Sequence, residues 1–369
     1  MKFEAFIVFC ATAVFSTLLV GLILRLSRQK SWYDQTNDRK IHSGNVPRLG
    51  GIGFALVFVV SSVIIMFLNQ EMDYLLRFLP CLAGICIIVV FGVWDDLSPL
   101  KPQIKLLVQI LAALCVIVPG YTFRRIVFFD GGSLEDIPWL SYPITLLWIV
   151  GLTNALNLID GVDGLAGGIS FIIALTFGLI FAQYAETASA ALLCFCLCGS
   201  IAGFLVFNVP IPRAKIFMGD GGSQFLGFTL AMLPLLEECD TVASLPVPYA
   251  AALLVIPIFD TTAAVWRRVR EGKRIDFPDR AHIHHKLMNL GFNVHKINVS
   301  LLGLQLLLSV LVFISLDKVN RVFSLSILGV AYLAAIVFFV ILHFLNQKAA
   351  LNTGDGSHST GNCPPPGRP

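Results

Sequence analysis

"TLLWIVGLTNALNLIDGVDGLAGGISFIIALTFGLIFAQY", residues 145–184, is two apolar runs joined by a short polar link. A helix of about 20 apolar residues crosses the hydrocarbon core of a bilayer. The two runs, read as 140–157 and 166–183, are therefore candidate spans. Asn154, Asn157, Asp160 and Asp163 stand three residues apart at the junction, among glycines. A chain that only had to cross and return would need no such series of polar side chains.

The same alternation runs through the chain. Of 369 residues, 56% are hydrophobic and 13% charged, and mean hydropathy is +0.81, whereas soluble domains carry about 25% charged residues. Apolar windows fall near 5–24, 51–68, 78–94, 104–120, 140–157, 166–183, 187–207, 222–236, 247–266, 297–316 and 323–345. The expected fold is all-α, a polytopic membrane bundle of about 10–11 transmembrane helices. The first run is too long for a signal-peptide core and lacks a small-residue cleavage site, so it stays a helix. Residues 1–347 form the membrane domain, and 348–369, polar and rich in Gly and Pro, read as a disordered tail. No internal repeat of the kind found in inverted-repeat transporters is evident. The stretch 121–139 reads as a small external hairpin. Of nine cysteines, seven lie inside apolar runs without a CxxC pair and read as small buried hydrophobes.

The net charge of +3 says less than its distribution. With the N-terminus outside, most of the 26 Lys and Arg residues fall in the cytoplasmic connections, as the positive-inside rule requires. Five polar clusters then share the cytoplasmic face: "YDQTNDRKIHSGNVPRLGG" (33–51), "WDDLSPLKPQIK" (94–105), the stretch around Asn154–Asp163, "KIFMGDGGS" (215–223) and "DRAHIHHKL" (279–287). An active site at a membrane face needs this kind of clustering.

Gly50-Gly51, Asp95-Asp96, Asp160 to Gly164 and Asp220-Gly221-Gly222 each precede an even-numbered helix that starts at this face. Helix N-termini offer unpaired N–H groups and a positive dipole end, which favour anions. Carboxylates beside such ends make sense if a divalent cation lies between them, as Mg²⁺ does when bound through one or two carboxylates plus substrate phosphates. Each site taken singly also reads as an N-cap worth about 1 kcal/mol, but adjacent carboxylates repel and capping needs only one. His282, His284 and His285, flanked by Arg280 and Lys286, read as a phosphate-binding or proton-handling patch rather than zinc ligands, since HExxH is absent. Asp260, inside the ninth run, must face the bundle interior, either pairing with an arginine or serving the site. Neither GxxxxGK[ST] nor GxGxxG is present.

"DD" at 95–96, "NALNLIDGVDGLAGG", "FMGDGGS" and "HIHH", in this order, resemble the polyprenyl-phosphate N-acetylhexosamine-1-phosphate transferases, glycosyltransferase family 4. His-Ile-His-His and "RKIH…PRLGG" resemble the undecaprenyl-phosphate N-acetylglucosamine-1-phosphate branch more than the phospho-MurNAc-pentapeptide branch, which usually has three consecutive histidines. The resemblance implies a multi-pass plasma-membrane enzyme that takes a UDP-sugar donor and an undecaprenyl phosphate acceptor in the lipid bilayer. It releases UMP, starts lipid-linked cell-envelope glycan synthesis and uses Mg²⁺, with Mn²⁺ as a substitute. Homodimers are common in similar proteins, and no nucleic acid is involved. Carried over by position, Asp220 and Asn157 are metal ligands. Phe217 stacks on uracil, and Lys105 lies near the pyrophosphate. Asp95 and Asp96 handle the acceptor phosphate or metal, and Asp160 and Asp163 lie near the uridine, with Asn154 beside them. His282, His284, His285 and Arg280 contact diphosphate or sugar.

Competing classes are weaker. A cation-coupled transporter would place its carboxylates near the midplane on broken helices. An intramembrane aspartyl protease usually shows Gly-x-Gly-Asp, and Phe217 occupies the first glycine position.

Overall fold

The computed structural model describes residues 2–30, 46–69, 72–123, 138–184, 189–211, 213–236, 245–274, 277, 281–316 and 321–352. The first loop up to residue 45, the hairpin expected over most of 121–139, and the tail beyond 352 lie outside these residues.

Thirteen α-helices follow one another among the described residues: α1 (Lys2–Gln29), α2 (Gly50–Leu68), α3 (Met72–Leu97), α4 (Pro102–Ile117), α5 (Pro138–Ile159), α6 (Leu165–Tyr184), α7 (Ser189–Asn208), α8 (Gly219–Met232), α9 (Val247–Leu253), α10 (Val255–Arg270), α11 (Ile283–Asn289), α12 (Val294–Ser315) and α13 (Arg321–Asn352). Each of the eleven apolar segments contains helix among its described residues. Eight helices are long and apolar enough to cross a membrane, and α9 with α10 makes a ninth candidate, bent by 85°. The other two are shorter: α4 has 16 residues and α8 has 14, about 24 and 21 Å of rise. This chain is a multi-pass membrane protein.

The bend in the ninth span has a local cause. A continuous helix would ask residue 257 to donate its N–H to the carbonyl of Leu253, and residue 257 is proline. The chain breaks at Leu254, and the freed Leu253 carbonyl accepts from Gln305 Nε2 of α12 at 2.9 Å. Elsewhere several hydroxyls bond within their own helix, as a hydrocarbon setting favours. The hydroxyls of Thr12, Ser62, Thr153, Thr176 and Ser200 each donate to a carbonyl four residues earlier.

Helix α8 is the axis of the bundle. From Gly221 to Met232 every side chain is buried, with α3 and α5 as its main neighbours and α2 alongside. Glycines set how close they come. A Cβ at Gly51 of α2 would overlap Gly222 and the Met218 carbonyl, and one at Gly92 of α3 would overlap Gly221. The seven described cysteines are free.

Candidate functional site

Four of the sequence clusters, with the histidine cluster packed beside them on the 160–164 link, meet within the described residues at one end of α8. Its first residue, Gly219, has φ +76°, in the left-handed region where a side chain is strained; a Cβ there would also strike the Arg48 carbonyl and the Asp96 carboxylate. The next two backbone amides are held from α3, where Asp96 Oδ1 accepts from Asp220 N at 2.8 Å and Oδ2 from Gly221 N at 3.0 Å. Asp96 is thus a cap lent by one helix to another, which satisfies N–H groups that a helix start leaves unpaired.

The neighbouring carboxylate does something else. Asp95 Oδ1 accepts from Leu100 N at 2.7 Å, while Oδ2 forms an ion pair with Lys105. The same Lys105 ammonium lies 3.1 Å from Asp220 Oδ2. One cation therefore sits between two carboxylates, which explains how adjacent Asp95 and Asp96 coexist: they face different partners.

The expectation of anion-binding helix starts fails at α2 and α8. Gly50 N and Gly51 N already donate to the carbonyls of Phe217 and Met218, at 3.0 and 2.8 Å, and those of α8 are taken by Asp96. These amides build the site instead of binding a ligand. Phe217 itself is half-buried and is fixed through its backbone, donating to the Pro47 carbonyl at 2.8 Å.

The opening stretch divides into separate tasks. Asn157 Nδ2 donates to Ser223 Oγ of α8 at 2.9 Å, which leaves its amide oxygen for a ligand. Asn154 is committed elsewhere. Its amide pairs with Gln109 of α4 at 2.7 and 3.3 Å, and Gln109 reaches Gln224 of α8 at 3.0 Å. This chain of amides ties α4, α5 and α8 together beneath the carboxylates. Asp163 is anchored through its carbonyl, which accepts from Asn298 Nδ2 at 2.8 Å. Asn208 bridges the link to the 215–218 segment by accepting from Gly164 N and donating to the Ile216 carbonyl. Asp160 has its carboxyl pushed well above the usual carboxylate range by burial, then by the negative charges of Asp220 and Asp163, with Arg48 opposing.

The histidine segment closes the site. A Cβ on Gly161 would overlap the His284 ring, so the 160–164 link and α11 are in contact. His282 and His284 stack nearly parallel with centroids 6.0 Å apart, and the His285 ring lies 4.4 Å from that of His284. The segment is pinned by Arg267, whose guanidinium donates to the Ala281 carbonyl at 3.0 Å, and by Asn346 of α13, which donates to the Lys286 carbonyl at 3.1 Å. Asp260 pairs with His282, not with an arginine, at 2.9 Å. Arg280 lies outside the described residues.

His284 is 3% exposed, and its Nδ1 has no hydrogen-bond partner among the described residues. Burial, then His285, lowers its pKa to about 4. The unfolded chain takes up this proton near pH 6.5, whereas the folded chain does so only near 4. Stability is therefore lost as pH falls through this window. The thermal midpoint of the wild type will drop between pH 6.5 and about 4, and His284→Gln will drop less. An equal decline in both proteins would exclude His284 as the source.

Among the described residues no three His, Cys, Asp or Glu side chains converge as a ready-made metal cage. The donor set still suits Mg²⁺: hard oxygens from one carboxylate, Asp220, and one amide, Asn157, with substrate phosphates left to complete the shell. Next to Asp95 and Lys105, residues Ile88, Phe91, Leu100 and Val108, with Gln224 of α8, line a small, partly open cleft between α3 and α4. Apart from Asp95, Lys105 and Gln224 its lining is apolar. Gln109, Gln224, Ser223 and Asn208 were not singled out in the sequence. A glutamine within an apolar run was the available signal for the first two.

A polytopic helical bundle with a carboxylate-rich centre at one end of a buried axial helix is the class these features define. Residues 78–237 match the model of "Glycosyl transferase family 4". The chain is 33% identical over 348 residues, 92% of its own length and 89% of the relative's, to the "Probable undecaprenyl-phosphate N-acetylglucosaminyl 1-phosphate transferase" of Bacillus subtilis (strain 168). It is 31% identical to the "Undecaprenyl-phosphate alpha-N-acetylglucosaminyl 1-phosphate transferase" of Escherichia coli (strain K12), covering 76% of this chain and 75% of the relative, and 30% identical to that of Yersinia pestis at the same coverage. The chain belongs to glycosyl transferase family 4 and is a phosphosugar transferase of the membrane.

Proposed function

We propose that the protein transfers N-acetylglucosamine-1-phosphate from UDP-N-acetylglucosamine to undecaprenyl phosphate, releasing UMP. The observation that carries this reading is the Asp95–Lys105–Asp220 arrangement at the start of α8, beside an apolar-walled cleft. Phosphoryl transfer needs little covalent work from a protein; positioning and neutralisation of charge supply most of it. An oxygen of the lipid phosphate attacks the β-phosphorus of the donor. The bond from that phosphorus to the bridging oxygen breaks, and the electron pair leaves with UMP. The sugar keeps its anomeric bond to the transferred phosphate.

Asp220 and Asn157 would hold Mg²⁺, which when bound offsets negative charge on the diphosphate. Lys105 adds a fixed positive charge beside the same carboxylate. Asp95 orients the acceptor phosphate and takes its proton when the monoanion binds. The α3–α4 cleft receives the first part of the prenyl chain. Phe217 and the Asp160–Asp163 link face the uridine, and the histidine segment faces the sugar-phosphate. The Lys and Arg distribution supports a cytoplasmic site in the plasma membrane.

The test is purified protein with Mg²⁺ and undecaprenyl phosphate, with UMP measured across a panel of UDP-sugars. UDP-N-acetylglucosamine is expected to give the fastest release, abolished by EDTA. Release with no donor in the panel would overturn the transfer reaction, and release only with UDP-MurNAc-pentapeptide would reassign the branch.

A further inference from the structure

The His282 ring is held by a residue far from it in sequence, on the distal half of a broken span. Asp260 lies in the second turn of α10, past the break at Leu254, and is 3% exposed. Both of its carboxylate oxygens serve the histidine segment: Oδ2 is 2.9 Å from His282 Nδ1, and Oδ1 accepts from Ile283 N at 2.8 Å. The second contact caps α11, which has no side-chain cap of its own at His282. The first concerns chemistry. A carboxylate acting as acceptor in this contact puts the ring hydrogen on His282 Nδ1. A neutral imidazole has one N–H, which leaves Nε2 with its lone pair; on protonation that same atom becomes a donor towards an anion. The His284 ring stacked at 6.0 Å helps fix the ring plane.

We propose that Asp260 is a positioning residue that locks His282 in its Nδ1–H form and so makes Nε2 the atom offered to the donor's sugar-1-phosphate. The role in turnover rests on the transfer reaction proposed above, whereas the tautomer does not. Carboxylates behind functional imidazoles elsewhere fix ring orientation and tautomer, and their loss typically costs 10–100-fold.

Asp260→Asn separates capping from tautomer control. The asparagine oxygen can still accept from Ile283 N, but its NH₂ group must donate to Nδ1, which moves the hydrogen to Nε2. In protein labelled with ¹⁵N-histidine and held in lipid nanodiscs, the His282 signals, assigned by their loss in His282→Gln, are expected to be those of Nδ1–H in the wild type. They are expected to be those of Nε2–H in Asp260→Asn. UMP release from UDP-N-acetylglucosamine is expected to fall about 10–100-fold in kcat, with KM little changed.

Full turnover in a variant whose tautomer has switched would overturn the proposal, and so would an unchanged His282 spectrum. If Asp260→Asn does not fold, the wild-type spectrum still decides, because an Nε2–H form there sinks the idea. A wild type that is inactive with every donor would refute the transfer reaction while leaving the tautomer result intact.

Discussion

Asp220→Ala is expected to cut Mg²⁺-dependent UMP release by on the order of 10³-fold or more, with the protein still inserted and folded. The carboxylate is the only part removed. The backbone amide of residue 220 remains held by Asp96 Oδ1 at 2.8 Å, and α8 remains buried along its length. Lys105 keeps its ion pair with Asp95, so no buried ammonium is left without a partner. The loss should therefore appear in turnover and not in the thermal midpoint. Full activity in this variant would remove Asp220 from the reaction.

Asp96→Ala should act differently from its neighbour. It removes the acceptor of two amide hydrogen bonds at the start of α8. Each bond to a charged acceptor is worth about 1.5–3 kcal/mol, and the orphaned donors add to the cost. With partial water access, a loss on the order of 3 kcal/mol is expected, seen as a thermal midpoint lower by several degrees together with reduced turnover. Asp96→Asn keeps one carbonyl oxygen and should recover part of both. A variant as stable as the wild type yet inactive would show that Asp96 takes part in chemistry and is not chiefly a cap.

These two residues show where sequence reading reaches its limit. Asp95-Asp96 stood out because two adjacent carboxylates exceed what a cap needs. Their division into an ion pair and an inter-helix cap depends on which face of α3 each occupies relative to α8, and no local pattern encodes that. The eleven apolar runs were legible because a bilayer demands long uninterrupted apolar helices. The break at Leu254 was legible only in hindsight, through Pro257, since its partner Gln305 lies 52 residues from Leu253. Asn154 and Asn157 look equivalent in sequence. One turn of α5 separates a residue spent on Gln109 from one that borders Ser223. The N-termini of α2 and α8 misled for a related reason. A glycine pair before a helix signals close approach, and here what approaches is the protein's own backbone.

The glycine contacts around α8 constrain more than packing distance. With Gly222 seated against Gly51 and Gly221 against Gly92, the helix is a shaft held in two sockets, and it cannot rotate by one residue without driving a side chain into α2 or α3. The direction of Asp220 is then a mechanical constant of the bundle. Donors that differ in their sugar share the same diphosphate, so this fixed part can serve any of them unchanged. Diversification towards new sugars would have to be written in segments not seated in those sockets, with α11 and its flanking chain the nearest candidate. Chemistry and choice of cargo would then be separately heritable.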